Sequence, residues 1–140
     1  LHRDKIDCFA TIIIPPEWDK QDFRNMVKIV KALGIYFVNL QPLTPLPKTG
    51  LSFPESQIII DRTDYEKWDL AHVTVQPTKL TVSEFYNEIL KAYNSILYSP
   101  PVLWKYLTTY KPTMLVKMFV GGIRVGKQYR QKIKEAHQHA

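Results

Sequence analysis

Ile35–Thr49 reads IYFVNLQPLTPLPKT, and this stretch decides the fold. Its first seven residues, Ile35–Gln41, are aromatic, β-branched and mostly apolar, which is typical of a short strand buried on both faces, as in a parallel sheet. Pro42, Pro45 and Pro47 follow and prevent a helix or an interior strand from continuing. We therefore predict a stiff, extended loop at the carboxyl end of a buried strand, where open α/β sheets and barrels bind ligands.

The residues before this stretch predict a strand and a helix. Cys8–Pro15 (CFATIIIP) is apolar enough for a first strand. Asp19 is a suitable N-cap for a helix to about Leu33, and Gly34 suits the left-handed residue that ends a helix. The order strand, helix, strand predicts a β-α-β unit in which the two strands are parallel.

The residues after the loop predict a mainly helical half. Short strands are predicted at Gln57–Ile60 and His72–Gln76. The capping box Thr81–Glu84 (TVSE) starts a helix that extends to about Tyr98. A short helix is then predicted through Leu107, after the break at residues 99–101.

A last helix is predicted from Pro112, followed by a frayed, basic end from Lys127 that includes His137 and His139. Periodicity predicts that this helix buries one apolar face. The residues of that face are Leu115, Val116, Phe119, Val120 and Ile123.

Composition is that of an ordinary soluble globular chain, with 45% hydrophobic and 23% charged residues in 140. The sequence has no apolar run long enough for a transmembrane helix. Cys8 is the single cysteine, which excludes an internal disulfide and favours a cytoplasmic location. The chain begins at Leu1 with the polar run LHRDKID, from which we expect a piece of a larger protein.

Positive charge is concentrated at the C-terminus. Residues 1–104 contain 11 Lys or Arg and 12 Asp or Glu, whereas residues 105–140 contain 8 Lys or Arg and only Glu135. Such a segment is either a solvated helix face or a surface for RNA or an acidic partner protein. Both alternatives stay open from the sequence.

Two blocks resemble radical-SAM enzymes that carry a cobalamin-binding domain. Gln41–Thr49 (QPLTPLPKT) resembles the sixth-strand motif of that family, which usually ends Pro-Leu-Pro-Gly-Thr, with Lys48 in place of the glycine. Phe9–Phe23 (FATIIIPPEWDKQDF) resembles the fifth strand and the start of the next helix, with Pro15 where glycine is usual.

A third block resembles the segment after the family's barrel. It consists of Trp68–His72, Pro77–Leu80 and Glu84–Tyr86, in the family's order. The resemblance implies an α/β fold: a fragment of a (β/α) barrel with a parallel β-α-β unit, followed by a mainly helical region. It divides the chain into the last β/α units of a partial barrel, residues 1–60, and a helical extension, residues 61–140.

The resemblance also implies cofactors for the parent enzyme: S-adenosylmethionine, a [4Fe-4S] cluster and, in the cobalamin-binding branch, cobalamin. The family's Cys-x₃-Cys-x₂-Cys motif is absent from this sequence, so we expect no catalytic residue, no metal ligand and no cofactor held by this piece alone. Its reaction class stays open between oxidoreductase and methyltransferase. Its expected partners are the remainder of the parent chain and a second copy of itself, whereas nucleic acid is not the favoured partner.

The residues that the resemblance places near the adenosine of S-adenosylmethionine are Ile12, Ile14, Pro16, Asn39 and Gln41. Asn39 and Gln41 are two residues apart in a strand and so share one face, which could be the barrel lumen. In the alternative interpretation, these two side chains only tie down the proline-rich loop. A third function for the whole chain is structural, as a cap that closes the barrel.

Carboxylates cluster around Trp68 and His72, and such a cluster can bind metal or transfer protons. They are Asp61, Asp64, Glu66 and Asp69. Their spacing matches no metal motif, so a structural or solvated role is favoured.

Overall fold

The computed structural model describes residues 8–138; the run LHRDKID and His139 lie outside the described residues. The elements in chain order are β1 (Phe9–Ile14), α1 (Lys20–Ala32), β2 (Phe37–Pro42), α2 (Val82–Leu97), α3 (Pro100–Thr109) and α4 (Pro112–Gln138). Two 3₁₀ turns, Glu55–Gln57 and Tyr65–Lys67, interrupt the long connection from β2 to α2. Within the described part, no helix has an apolar stretch long enough to cross a bilayer.

The sheet consists of β1 and β2, which pair in parallel from Phe9 opposite Phe37 to Ile14 opposite Pro42. The prediction of a parallel β-α-β unit is therefore confirmed. Over residues 8–138 the fold is mixed α/β, with two parallel strands and four helices.

Helix α1 begins and ends where the sequence predicts. The Asp19 side chain accepts hydrogen bonds from the Gln21 and Asp22 N–H groups, and Asp22 accepts one from the Asp19 N–H. At the other end, Gly34 has a φ of +63°, the left-handed conformation that glycine adopts without steric cost. The buried face of α1 contains Phe23, Met26 and Val30.

Helices α1 and α2 lie side by side and run in the same direction. Lys20 in the first turn of α1 forms an ion pair with Glu84 in the first turn of α2, at 2.9 Å. Near the other ends, the Lys31 ammonium donates to the Ser95 hydroxyl at 3.1 Å. Both pairs are 64 residues apart in sequence, as parallel helices require. The buried core likewise contains residues of both helices, Phe23 and Val30 from α1 and Phe85 and Ile89 from α2.

The two short strands predicted at Gln57–Ile60 and His72–Gln76 are wrong as elements. These segments form one isolated antiparallel bridge, between Ile58 and Val75. Pro54 and Pro77 lie at the same end of this antiparallel pairing and supply no N–H group, so the ladder cannot extend past that end.

The predicted packing of α4 is also wrong. Val116, Phe119, Val120 and Ile123 were expected to be buried but are exposed, whereas Leu115 is half-buried. The end beyond Lys127 was expected to fray but is helical as far as Gln138. Both predictions fail because a different face of α4 is turned towards the core. Its members recur every three or four residues and are half-buried or buried: Met118, Gly122, Gly126, Tyr129, Ile133 and Ala136.

Candidate functional site at the carboxyl ends of the parallel strands

The sheet has one face that the helices leave largely uncovered. Towards the carboxyl ends of the strands, this face consists of two register pairs, Thr11 opposite Asn39 and Ile13 opposite Gln41. Thr11 and Ile13 are exposed, and the two amide side chains are half-buried. We call these four residues the open face; two of them, Asn39 and Gln41, are predicted site residues.

Ile12 and Ile14 lie on the other face of the sheet. Ile14 is fully buried, and Ile12 packs against the same core, which contains Phe23 and Leu40. Pro16 is buried too, and its carbonyl accepts a hydrogen bond from the Thr78 N–H at 3.0 Å. The five predicted site residues therefore do not converge through their side chains.

Sequence reasoning missed Thr11 and Ile13. Both were inside a continuous apolar run, in which no alternation distinguishes one face of a strand from the other. The signal was available in combination: Asn39 and Gln41 mark one face of β2, and a parallel register carries that face onto β1.

The amides of Asn39 and Gln41 differ in their hydrogen bonding. Asn39 Oδ1 lies 3.3 Å from the Tyr93 hydroxyl. The Gln41 side chain has no hydrogen-bond partner within residues 8–138, so its amide is available to a ligand. Neither amide bonds to the backbone of the proline-rich loop, so the described residues do not show the loop-tying role.

The outer edge of β2, on the side away from β1, is met by tyrosine hydroxyls at Leu40. The Leu40 N–H donates to the Tyr93 hydroxyl at 2.7 Å, and the Tyr129 hydroxyl donates to the Leu40 carbonyl at 3.4 Å. These hydroxyls occupy the positions where a neighbouring strand would supply its backbone groups. Burial raises the pKa of both tyrosines and so favours their protonated hydroxyls.

The same tyrosine layer docks the end of α4. Tyr129 packs against the rings of Tyr86 and Tyr93, with ring centroids 6.2 and 5.8 Å away. The Lys132 ammonium donates to the Ala71 carbonyl at 2.8 Å and lies over the Tyr86 ring. Burial lowers the pKa of Lys132. His137 adds a 2.7 Å contact between its Nε2 and the Ser83 hydroxyl.

The loop after β2 is held in shape by hydrogen bonds between its own hydroxyl and backbone groups. The Thr44 hydroxyl donates to the Pro42 carbonyl, and the Thr49 hydroxyl donates to the Leu46 carbonyl at 2.7 Å. Lys48 has a φ of +66°, in the left-handed region. The backbone at Lys48 thus adopts the conformation that glycine prefers, and glycine is the usual residue at this place in the Pro-Leu-Pro-Gly-Thr motif that the sequence resembles.

Three of the four carboxylates near His72, namely Asp61, Asp64 and Asp69, accept hydrogen bonds in turns or form ion pairs. Burial alone would raise the pKa of Asp69, but hydrogen bonds from Ala71 and His72 lower it overall. Asp61 accepts from Thr63, and Asp64 forms an ion pair with Lys67. Over residues 8–138, no three Asp, Glu, His or Cys side chains gather closely enough to hold a metal ion.

Comparison with known proteins gives a partial match to a methylase. The chain is 32% identical over 99 residues to the hopanoid C-3 methylase of Methylococcus capsulatus. The matched segment covers 71% of this chain and 18% of that protein, so the chain spans less than a fifth of its relative. No family model and no solved structure matches the chain.

Proposed function

We propose that this chain is part of a radical-SAM methylase and supplies the last two strands of its barrel. The open face would form part of the lumen wall, beside S-adenosylmethionine and the substrate. The observation that carries the proposal is the two-sided sheet: one face is packed against helices, and the other presents Gln41 and Ile13 at the carboxyl ends of parallel strands.

The helix arrangement supports the barrel part of the proposal. In a β/α series, successive helices run parallel to one another on the outside of the strands. The pairs Lys20–Glu84 and Lys31–Ser95 give α1 and α2 this arrangement. At Leu40, tyrosine hydroxyls take the place of a neighbouring strand on the outer side of β2, which supports β2 as the final strand and leaves β1 to pair with the strands of the remaining barrel.

The sequence match supports methyl transfer as the reaction class. The relative is named as a methylase, which favours the methyltransferase alternative over the oxidoreductase. In the proposed complete protein, the cluster would be held upstream by a Cys-x₃-Cys-x₂-Cys motif. This chain would contribute the amide of Gln41 and the apolar surface of Ile13 to the wall of the pocket.

The test is S-adenosylmethionine cleavage by the complete protein after anaerobic loading with iron and sulfide. The complete protein should form 5′-deoxyadenosine. The variant Gln41→Ala should weaken S-adenosylmethionine binding roughly tenfold, as expected for one lost polar contact. Gln128→Ala, which removes the same group from the exposed side of α4, is the matched control. A complete protein that loads no cluster, or equal binding by both variants, would overturn the proposal.

A further inference from the structure

Helices α3 and α4 carry apolar side chains that point away from the core. On α3, Val102 is buried and the Tyr106 hydroxyl donates to the Tyr36 carbonyl, so this side of the helix is attached to the fold. The opposite side of α3 presents Leu103, Trp104 and Leu107 to solvent, with Trp104 70% exposed.

The first half of α4 continues this pattern. Val116, Phe119, Val120 and Ile123 are exposed and recur every three or four residues, which places them in one stripe. We call α3 together with residues 112–126 the elbow. An apolar surface of this kind on a folded chain marks a place of interaction.

The charge around the elbow has one sign. No Asp or Glu occurs between Glu88 and Glu135, although this interval contains nine Lys or Arg residues: Lys91, Lys105, Lys111, Lys117, Arg124, Lys127, Arg130, Lys132 and Lys134. Within residues 8–138, no ion pair involves Lys117, Arg124 or Lys127. The partner of the elbow must therefore accept both aliphatic side chains and cations.

The two features are combined on one face of α4. The apolar stripe that ends at Ile123 continues in the same helical periodicity as Lys127, Arg130 and Lys134, all exposed. Aliphatic and aromatic side chains beside Lys and Arg are typical of helices that lie in the interface of an anionic bilayer. The apolar part enters the acyl boundary, and the basic part contacts lipid phosphates.

We infer that the elbow docks on the surface of an anionic lipid bilayer. This inference rests on the exposed side chains and is independent of the proposed methylase function. A second copy of the chain fits less well, because a symmetric contact would bring the same cations together. RNA fits less well, because phosphates and bases give no site for Leu107, Val116 or Ile123.

Vesicle flotation with the 140-residue chain tests this inference. At roughly physiological salt, the chain should float with vesicles of phosphatidylcholine and phosphatidylglycerol. With vesicles of phosphatidylcholine alone, it should remain unbound and not float. The variant Phe119→Ser/Ile123→Ser should lose roughly tenfold or more of the vesicle affinity. Ile29→Ser, an equally exposed isoleucine on α1, should bind as the unchanged chain does.

Charge-reversal variants give a second test in the same flotation experiment. Arg124→Glu/Lys127→Glu should abolish flotation, whereas Arg24→Glu/Lys28→Glu on α1 makes the same change in net charge and should retain most of the binding. Circular dichroism establishes that each variant is folded.

Four results would overturn the inference. The first is a chain that does not float with anionic vesicles, and the second is flotation unaffected by Phe119→Ser/Ile123→Ser. The third is a dimer in sedimentation that Ile123→Ser dissociates, which would assign the elbow to a second copy. The fourth is an RNA oligonucleotide that binds in a way that depends on Arg124 but not on Phe119, and that displaces the vesicles.

Discussion

The backbone N–H of Leu40, in the middle of β2, donates a 2.7 Å hydrogen bond to the side-chain hydroxyl of Tyr93 on α2. Leu40 is 1% exposed, so water cannot replace this partner. The contact satisfies an outward-facing N–H of the strand without a neighbouring strand, and it joins the β-α-β unit to the helical half of the chain.

Removing that hydroxyl should destabilise the protein. In Tyr93→Phe, the Leu40 N–H stays buried without an acceptor, and such a group costs about 1–3 kcal/mol of unfolding free energy. Urea unfolding followed by circular dichroism measures the loss. Tyr98→Phe is the matched control, since Tyr98 is exposed at the end of α2. Equal stability of the two variants would show that the Leu40 edge does not need Tyr93.

Lys48→Gly should stabilise the protein. Lys48 has a φ of +66°, a conformation that costs a residue with a Cβ about 1–2 kcal/mol. Part of that gain is offset because glycine is more flexible in the unfolded chain, so the expected net effect is about 0.5–1 kcal/mol. Lys28→Gly, in the middle of α1, should instead cost about 1 kcal/mol. The two unfolding midpoints should move in opposite directions, and a destabilised Lys48→Gly variant would contradict the conformation of this loop.

Two buried threonines should respond oppositely to valine. The Thr74 hydroxyl is fully buried and has no hydrogen-bond partner within residues 8–138. Thr74→Val removes this unsatisfied group and should add about 1 kcal/mol to the unfolding free energy. Thr44 is also buried, but its hydroxyl donates to the Pro42 carbonyl, so Thr44→Val should lose about 0.5–1.5 kcal/mol. Thermal unfolding of the two variants measures these changes. A lower stability of Thr74→Val would show that the Thr74 hydroxyl is not an unsatisfied buried group.

Alkaline pH should weaken the tyrosine layer. Burial raises the pKa of Tyr86 from 10.0 to about 12, so the folded state keeps this proton after the unfolded chain has lost it. The unfolded state then binds fewer protons, and the unfolding free energy falls as the pH rises from about 10 to about 12. The part due to Tyr86 is about 2–3 kcal/mol.

Urea titrations near pH 9 and pH 11 measure this slope. It should become shallower in Tyr86→Phe and stay unchanged in Tyr65→Phe, since Tyr65 is exposed. The same slope in both variants would mean that Tyr86 is not the group responsible.

The β-α-β unit could be predicted from sequence because local signals agree with one another. Asp19 and Gly34 mark the ends of α1, and one apolar run precedes the helix while another follows it. Consistency of capping, periodicity and turn residues is what makes such a prediction secure. The same reasoning located α2 from its capping box at Thr81.

Helix α4 could not be predicted in this way. Its apolar stripe is real, but helical periodicity does not tell which stripe meets the core. The inward face contains Gly122 and Gly126 and reaches the core through Tyr129, whose partners Tyr86 and Tyr93 are more than 30 residues away in sequence. Burial at Tyr129 depends on that tertiary contact.

The candidate site was predicted in part for a similar reason. Asn39 and Gln41 could be placed on one face by the two-residue period of a strand. Thr11 and Ile13 required the register between β1 and β2, which the sequence of either strand alone does not specify.

In the barrel that we propose, the open face of the sheet lines the inside. Maleimide labelling tests it, with Cys8 replaced by serine and a cysteine introduced by Ile13→Cys or, as control, by Ile29→Cys on the outside of α1. In the 140-residue chain, both cysteines should react quickly. In the complete protein, labelling should be roughly tenfold or more slower after Ile13→Cys and unchanged after Ile29→Cys. Equally fast labelling at both positions of the complete protein would show that the open face does not line a barrel.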